Sequence, residues 1–66
     1  MNIIVNGENQ HIKNDCTADD LVTLMGITSG RIAMEVNREI VPRSQYPEYL
    51  FKENDVVEIV HAVGGG

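Results

Sequence analysis

The chain has no tryptophan, one phenylalanine, two prolines and one cysteine. A single thiol, Cys16, excludes an internal disulfide, and with only His11 and His61 beside it no zinc-ligand spacing exists. Neither of the staples that hold many very small folds together is present, so packing must do so. Basic residues are also scarce: five against ten acids give a net charge of -5, and Lys13, Arg31, Arg38, Arg43 and Lys52 are scattered. Such a surface repels phosphate backbones, which argues against nucleic acid and anionic membranes as partners. It is compatible with a protein partner that has a basic docking surface, but on charge alone the better reading is that acidity only keeps a small protein soluble. No apolar run approaches the ~18 residues of a membrane-spanning helix, and the opening Met1-Asn2-Ile3-Ile4-Val5-Asn6-Gly7 lacks the basic flank of a signal peptide. The expected location is the cytoplasm. There is no Walker loop, no metal-ligand motif and no Ser, His and Asp arrangement, so no catalytic residue, no metal and no bound cofactor is expected.

What is present is a short alternation of apolar runs and turn signals. With 66 residues the chain is one domain, and a domain of this size buries only about 60% of the surface its unfolded chain exposes, which leaves little room for a deep pocket. Met1, Ile3 and Val5 alternate with Asn2, Ile4 and Asn6 as a strand. Asn6-Gly7 suits the positive φ angles of a two-residue hairpin, with Gln10 to Lys13 as the return strand. Thr17-Ala18-Asp19-Asp20 reads as a helix start, with Thr17 as N-cap and an acid at the third helical position. Leu21, Leu24 and Met25 follow at helical spacing, and Gly26 fits a left-handed cap with Ile27 folding back onto the apolar stripe. After a loop over 28–31, Ile32, Met34 and Val36 mark a strand with one buried face. Asn37-Arg38-Glu39 turns the chain into a short Ile40-Val41 strand that Pro42 closes. Ser44 to Tyr49 reads as irregular or a single 3₁₀ turn, with Tyr46, Tyr49, Leu50 and Phe51 lidding the core. Lys52 to Asp55 turns again into a last strand, Val56 to Val60, with Val57 and Ile59 inward.

A hairpin followed by one helix, with the most apolar strands at the two ends of the chain, predicts an α+β fold. One short helix lies across a mixed sheet of four to five strands, with the first and last strands central and adjacent. That is the β-grasp arrangement of ubiquitin-like proteins: a folded domain over 1–63 and a flexible tail, Gly64-Gly65-Gly66. Without Cβ atoms the tail is the thinnest possible peptide, and from Val63 it reaches roughly 13 Å, enough to carry the Gly66 carboxylate into a partner's channel. Frayed ends and leftover linkers look much the same. The passage of a strand almost directly into glycines that stop at Gly66 favours the first reading.

Several stretches resemble the ThiS family of sulfur carriers in bacterial thiamin biosynthesis. They are Ile3-Ile4-Val5-Asn6-Gly7, Val36-Asn37-Arg38-Glu39-Ile40-Val41-Pro42-Arg43, Asn54-Asp55-Val56-Val57-Glu58-Ile59-Val60 and the Gly-Gly end. The Gly-Gly end alone also fits the related MoaD carriers of molybdopterin synthesis, whose chains are typically longer, and ubiquitin-like modifiers or interaction modules. Some family members end in two glycines; this chain has three. The resemblance implies a protein cosubstrate, not an enzyme. A ThiF-like adenylating enzyme uses ATP to activate the Gly66 carboxylate, with Gly64 and Gly65 threading its active site. A persulfide sulfur supplied through a cysteine desulfurase then turns the adenylate into a thiocarboxylate, and thiazole synthase takes up that sulfur. A modifier would instead offer the activated carbonyl to a lysine amine.

Other residues have plainer readings. Cys16, with only Lys13 nearby to lower its pKa, is a small semi-buried hydrophobe before it is a sulfur relay. His61 is a solvent-facing residue at a strand end, and a lone histidine defines no acyl-transfer constellation. Asp19, Asp20, Glu53 and Asp55 are helix-start and turn residues. If Ile3 and Val57 face the helix, Ile4, Val56 and Val60 point away from it on neighbouring strands and form a candidate docking patch, unless the loop from Ser44 to Tyr49 covers it.

Overall fold

The computed structural model describes residues 1–27 and 31–62. In chain order the elements are β1 (Asn2–Val5), β2 (Glu8–His11), α1 (Ala18–Leu24), β3 (Arg31–Val36), β4 (Glu39–Val41), a 3₁₀ turn (Arg43–Gln45) and β5 (Val56–Ala62). The strands form one mixed sheet of order β2-β1-β5-β3-β4. As expected, the first and last strands are adjacent: β5 lies at the centre, parallel to β1 on one side and antiparallel to β3 on the other. The expected loop residues Thr28, Ser29 and Gly30, and the tail over 64–66, lie outside the described residues.

Two tight turns build the hairpins. Asn6 and Gly7 have φ of 51° and 85°, and Asn37 and Arg38 have φ of 51° and 70°, left-handed at both central positions, as a two-residue turn matched to strand twist requires. Because Val5 therefore pairs directly with Glu8, the return strand is Glu8–His11 and not the expected Gln10 to Lys13. Its four side chains are all exposed, so no apolar alternation marks it, and the buried Ile12 comes just after it. Likewise β4 begins at Glu39, and β5 continues past Val60 because β3 pairs with it as far as Arg31↔Ala62.

The helix is fixed at both ends by local chemistry. The Thr17 side chain accepts from the Asp20 N–H (3.1 Å) and the Asp20 carboxylate accepts from the Thr17 N–H (3.1 Å), a reciprocal capping box. The Ala18 and Asp19 N–H groups donate to the carbonyls of Tyr49 and Tyr46, so every donor of the first turn has a partner. At the other end Gly26 (φ 76°) donates to the Thr23 carbonyl, and Ile27 donates to that of Val22, a full Schellman motif.

The buried stripe of the helix differs from expectation. Ala18, Leu21 and Val22 are buried, whereas Leu24 is 71% exposed and Met25 lies at the exposed C-cap. Leu24 sits about 120° around the helix from the centre of the 18/21/22 stripe, and only a face that wide is needed against a sheet. Leu50 is a second correction: Tyr46 and Phe51 are buried and Tyr49 packs against them, but Leu50 is exposed. In an extended stretch Tyr49 and Phe51 turn inward, their rings meeting edge-on at 5.5 Å, and Leu50 between them must turn out. The core joins the inner faces of the sheet (Ile3, Val5, Met34, Val36, Val57, Ile59) to Ala18, Leu21 and Val22 of the helix.

Candidate functional site

The strand that leads to the glycine tail is paired on both sides. Beyond its main-chain ladders, β5 is gripped by two asparagine side chains, each from a hairpin turn. Asn6 has left the strand conformation, yet its carboxamide accepts from the Ile59 N–H (2.8 Å) and donates to the Ile59 carbonyl (3.2 Å). It thereby continues the β1/β5 ladder one step further with a side chain in place of a peptide. Asn37 accepts from the Val56 N–H (3.0 Å) and donates to Asp55 (3.0 Å), which also accepts from the Lys52 N–H (2.8 Å). Asp55 is thus a buried and bonded anchor, more than the turn residue its neighbours suggested. Sequence reading missed both asparagines, because each is fully explained locally as a turn residue; only the register shows what its side chain reaches.

On the outer face of the sheet the candidate patch is assembled as the alternation implied. Ile4 and Val56 are register partners across β1 and β5, Ile4 half-buried and Val56 46% exposed; Val60, opposite Ala33, is 66% exposed. The loop from Ser44 to Tyr49 bonds to the start of the helix through the Tyr46 and Tyr49 carbonyls, and Val56 and Val60 stay open. Ile40 on β4, 74% exposed, widens the apolar face and was not foreseen. Its partner is Glu35, whose other register partner is Glu58.

The remaining candidates separate cleanly. Cys16 is buried, its thiol donating weakly to the Thr17 carbonyl (3.5 Å), and burial, then the nearby Asp20 and Asp15, push its pKa up. A thiol so held is mostly protonated at neutral pH and a poor nucleophile. His61 is exposed on β5. No group of three metal-ligating side chains occurs among the described residues, and none of their helices is long and apolar enough to cross a membrane. A surface hollow of about 570 Å³ lies between the end of β2 and the helix and is lined by His11, Lys13, Asp15, Cys16 and Leu24 among others. Gly64, Gly65 and Gly66 themselves lie outside the described residues.

One helix across a mixed five-stranded sheet, with the chain's first and last strands parallel at its centre, defines a β-grasp protein. The solved ThiS thiamine biosynthesis protein of Geobacter metallireducens has the same fold, with a TM-score of 0.81 and 25% identity over all of both chains. The ThiS family model matches residues 3–66, and the chain belongs to that family. It is 36% identical over 63 residues to the sulfur carrier protein ThiS of Bacillus subtilis, a match covering 94% of this chain and 96% of that protein. It is also 36% identical over 66 residues to a thiazole synthase of Paramagnetospirillum magneticum, and spans only 20% of that protein's length.

Proposed function

We propose that the chain is a sulfur carrier for thiamin biosynthesis, a cosubstrate that presents the carboxylate of Gly66 to partner enzymes. The observation that carries this is the end-to-end match to the Bacillus subtilis carrier; the similarity to thiazole synthases supports thiazole formation as the step served. The chemistry explains why partners are needed. A carboxylate is a poor electrophile because neither oxygen leaves. A ThiF-like enzyme would transfer AMP from ATP to Gly66 and release pyrophosphate. The terminal sulfur of a persulfide, charged by a cysteine desulfurase, would then attack the carbonyl and expel AMP. A second thiol would cleave the resulting acyl disulfide, leaving a thiocarboxylate on Gly66 and a disulfide on the donor. Thiazole synthase would take that sulfur, and the carrier would return with its carboxylate, all of it in the cytoplasm.

In this reading the 1–63 body docks on its outer sheet face, through Ile4, Val56 and Val60, while Gly64 and Gly65 thread the partner's channel. The grip of β3 and Asn6 on β5 would then serve to fix the point from which the tail departs. The test is the fragment mass of the protein after incubation with ATP, a ThiF-like enzyme and a persulfide donor. Replacement of one oxygen by sulfur resembles methionine oxidation in mass, so the change must be localised to Gly66 and away from Met1, Met25 and Met34. Sulfur on Gly66 is expected. Transfer of the activated carbonyl to a lysine amine instead would mark a modifier.

A further inference from the structure

The outer face carries a feature besides its aliphatic side chains. Glu35 of β3 and Glu58 of β5 are direct partners in antiparallel register, which sets two carboxylates of like sign side by side. Val56 and Val60 flank Glu58 along its strand; Ala33 flanks Glu35, and Ile40 lies across from it on β4. Val56, Val60 and Ile40 are all exposed. Among the described residues neither carboxylate has a hydrogen bond or ion pair, and Arg38 shares a hollow with Glu58 and Val56 without pairing to either acid. Opposed like charges weaken a ladder, and two threonines would serve this one better. The fold itself has no use for the pair.

Resting on the reading that this face docks, we propose that Glu35 and Glu58 together seat one basic side chain projecting from an otherwise apolar surface of the docking protein. The aliphatic rim calls for an apolar counterpart, and a counterpart that covered the acids without a cation would strand two charges away from water. A guanidinium fits best, because its planar fork can donate to both carboxylates at once. Once the rim has expelled water, the same two acids that repel one another across the free strands hold the cation more strongly than exposed groups could. The net charge of -5 favours encounter with such a surface.

The arrangement makes stability and affinity move in opposite directions, which a merely structural pair does not do. In the E35Q/E58Q variant, melting temperature should rise by a few degrees as the repulsion is removed. Affinity for the adenylating enzyme should fall about tenfold or more, with a shallower dependence on salt than the wild type. Thiocarboxylate formation on Gly66 should still occur when that enzyme is in large excess. Wild-type affinity and salt dependence in E35Q/E58Q, alongside lost binding in Val60→Asp, would overturn the carboxylate assignment and leave the docking face intact. Wild-type binding by Val60→Asp as well would remove the docking face and the assignment with it. A lack of thiocarboxylate on the wild-type protein would count against the carrier reading separately.

Discussion

Along β5 four aliphatic residues divide by side: Val57 and Ile59 are 0% and 7% exposed, while Val56 and Val60 on the other side are 46% and 66%. The inner face is closed by α1 and by Tyr46 and Phe51, and Val57 and Ile59 belong to the packed core there. The outer face has the same aliphatic chemistry with no cover among the described residues, and two opposed acids in its midst. Residues that a fold needs and residues that a fold merely tolerates are therefore separated by one step along a single strand. In a domain with so small a core, three aliphatic side chains left in water, Val56, Val60 and Ile40, are a real sacrifice, which the docking proposed above would account for.

The largest effect should come from breaking the inner face. Leu21→Ala truncates the largest fully buried side chain of the helix and should cost about 2–5 kcal/mol, enough to leave much of the protein unfolded at room temperature by circular dichroism. Asn37→Ala should cost about 1–3 kcal/mol in urea melts, since it takes the partner from the Val56 N–H and one from the buried Asp55. Thr17→Ala, which opens the capping box, should cost about 1 kcal/mol.

A pH titration probes the same interior. Burial is the main cause of raised pKa values at Cys16, Tyr46 and Tyr49. The fold thus favours the neutral forms, and this contribution is complete below the ordinary thiol value of 9.0. It declines as pH rises through the raised values, so melting temperature should fall on the alkaline side; alkylation of Cys16 near neutral pH should be far slower in the native protein than in urea. Smallest in stability is the outer face: Val60→Asp, a poor strand former set beside Glu58, should cost about 0.5–1 kcal/mol while abolishing partner binding in a pull-down with the adenylating enzyme.

Much of the inner face was legible because its signals are local. Asn6-Gly7, the Thr17 to Asp20 box, Gly26 and the alternation of Ile32, Met34 and Val36 each dictate their own conformation within a few residues. What escaped depends on register. The exposure of Leu24 and Leu50 follows from which of two possible stripes meets the sheet. The reach of Asn6 to Ile59 spans 53 residues, and the meeting of Glu35 with Glu58 needs the β3/β5 alignment. Ile4, Val56 and Val60 could be placed on one face from parity alone, and Glu58 with them; that Glu35 sits opposite it could not.

The most direct measurement is the localised mass of the tail fragment after reaction with ATP, the adenylating enzyme and a persulfide donor, run in parallel on the wild type and Val60→Asp at limiting enzyme. The account predicts one oxygen replaced by sulfur on Gly66 in the wild type and little or none in Val60→Asp. An unchanged Gly66 in the wild type with a demonstrably active enzyme, or equal sulfur on both proteins, would contradict it.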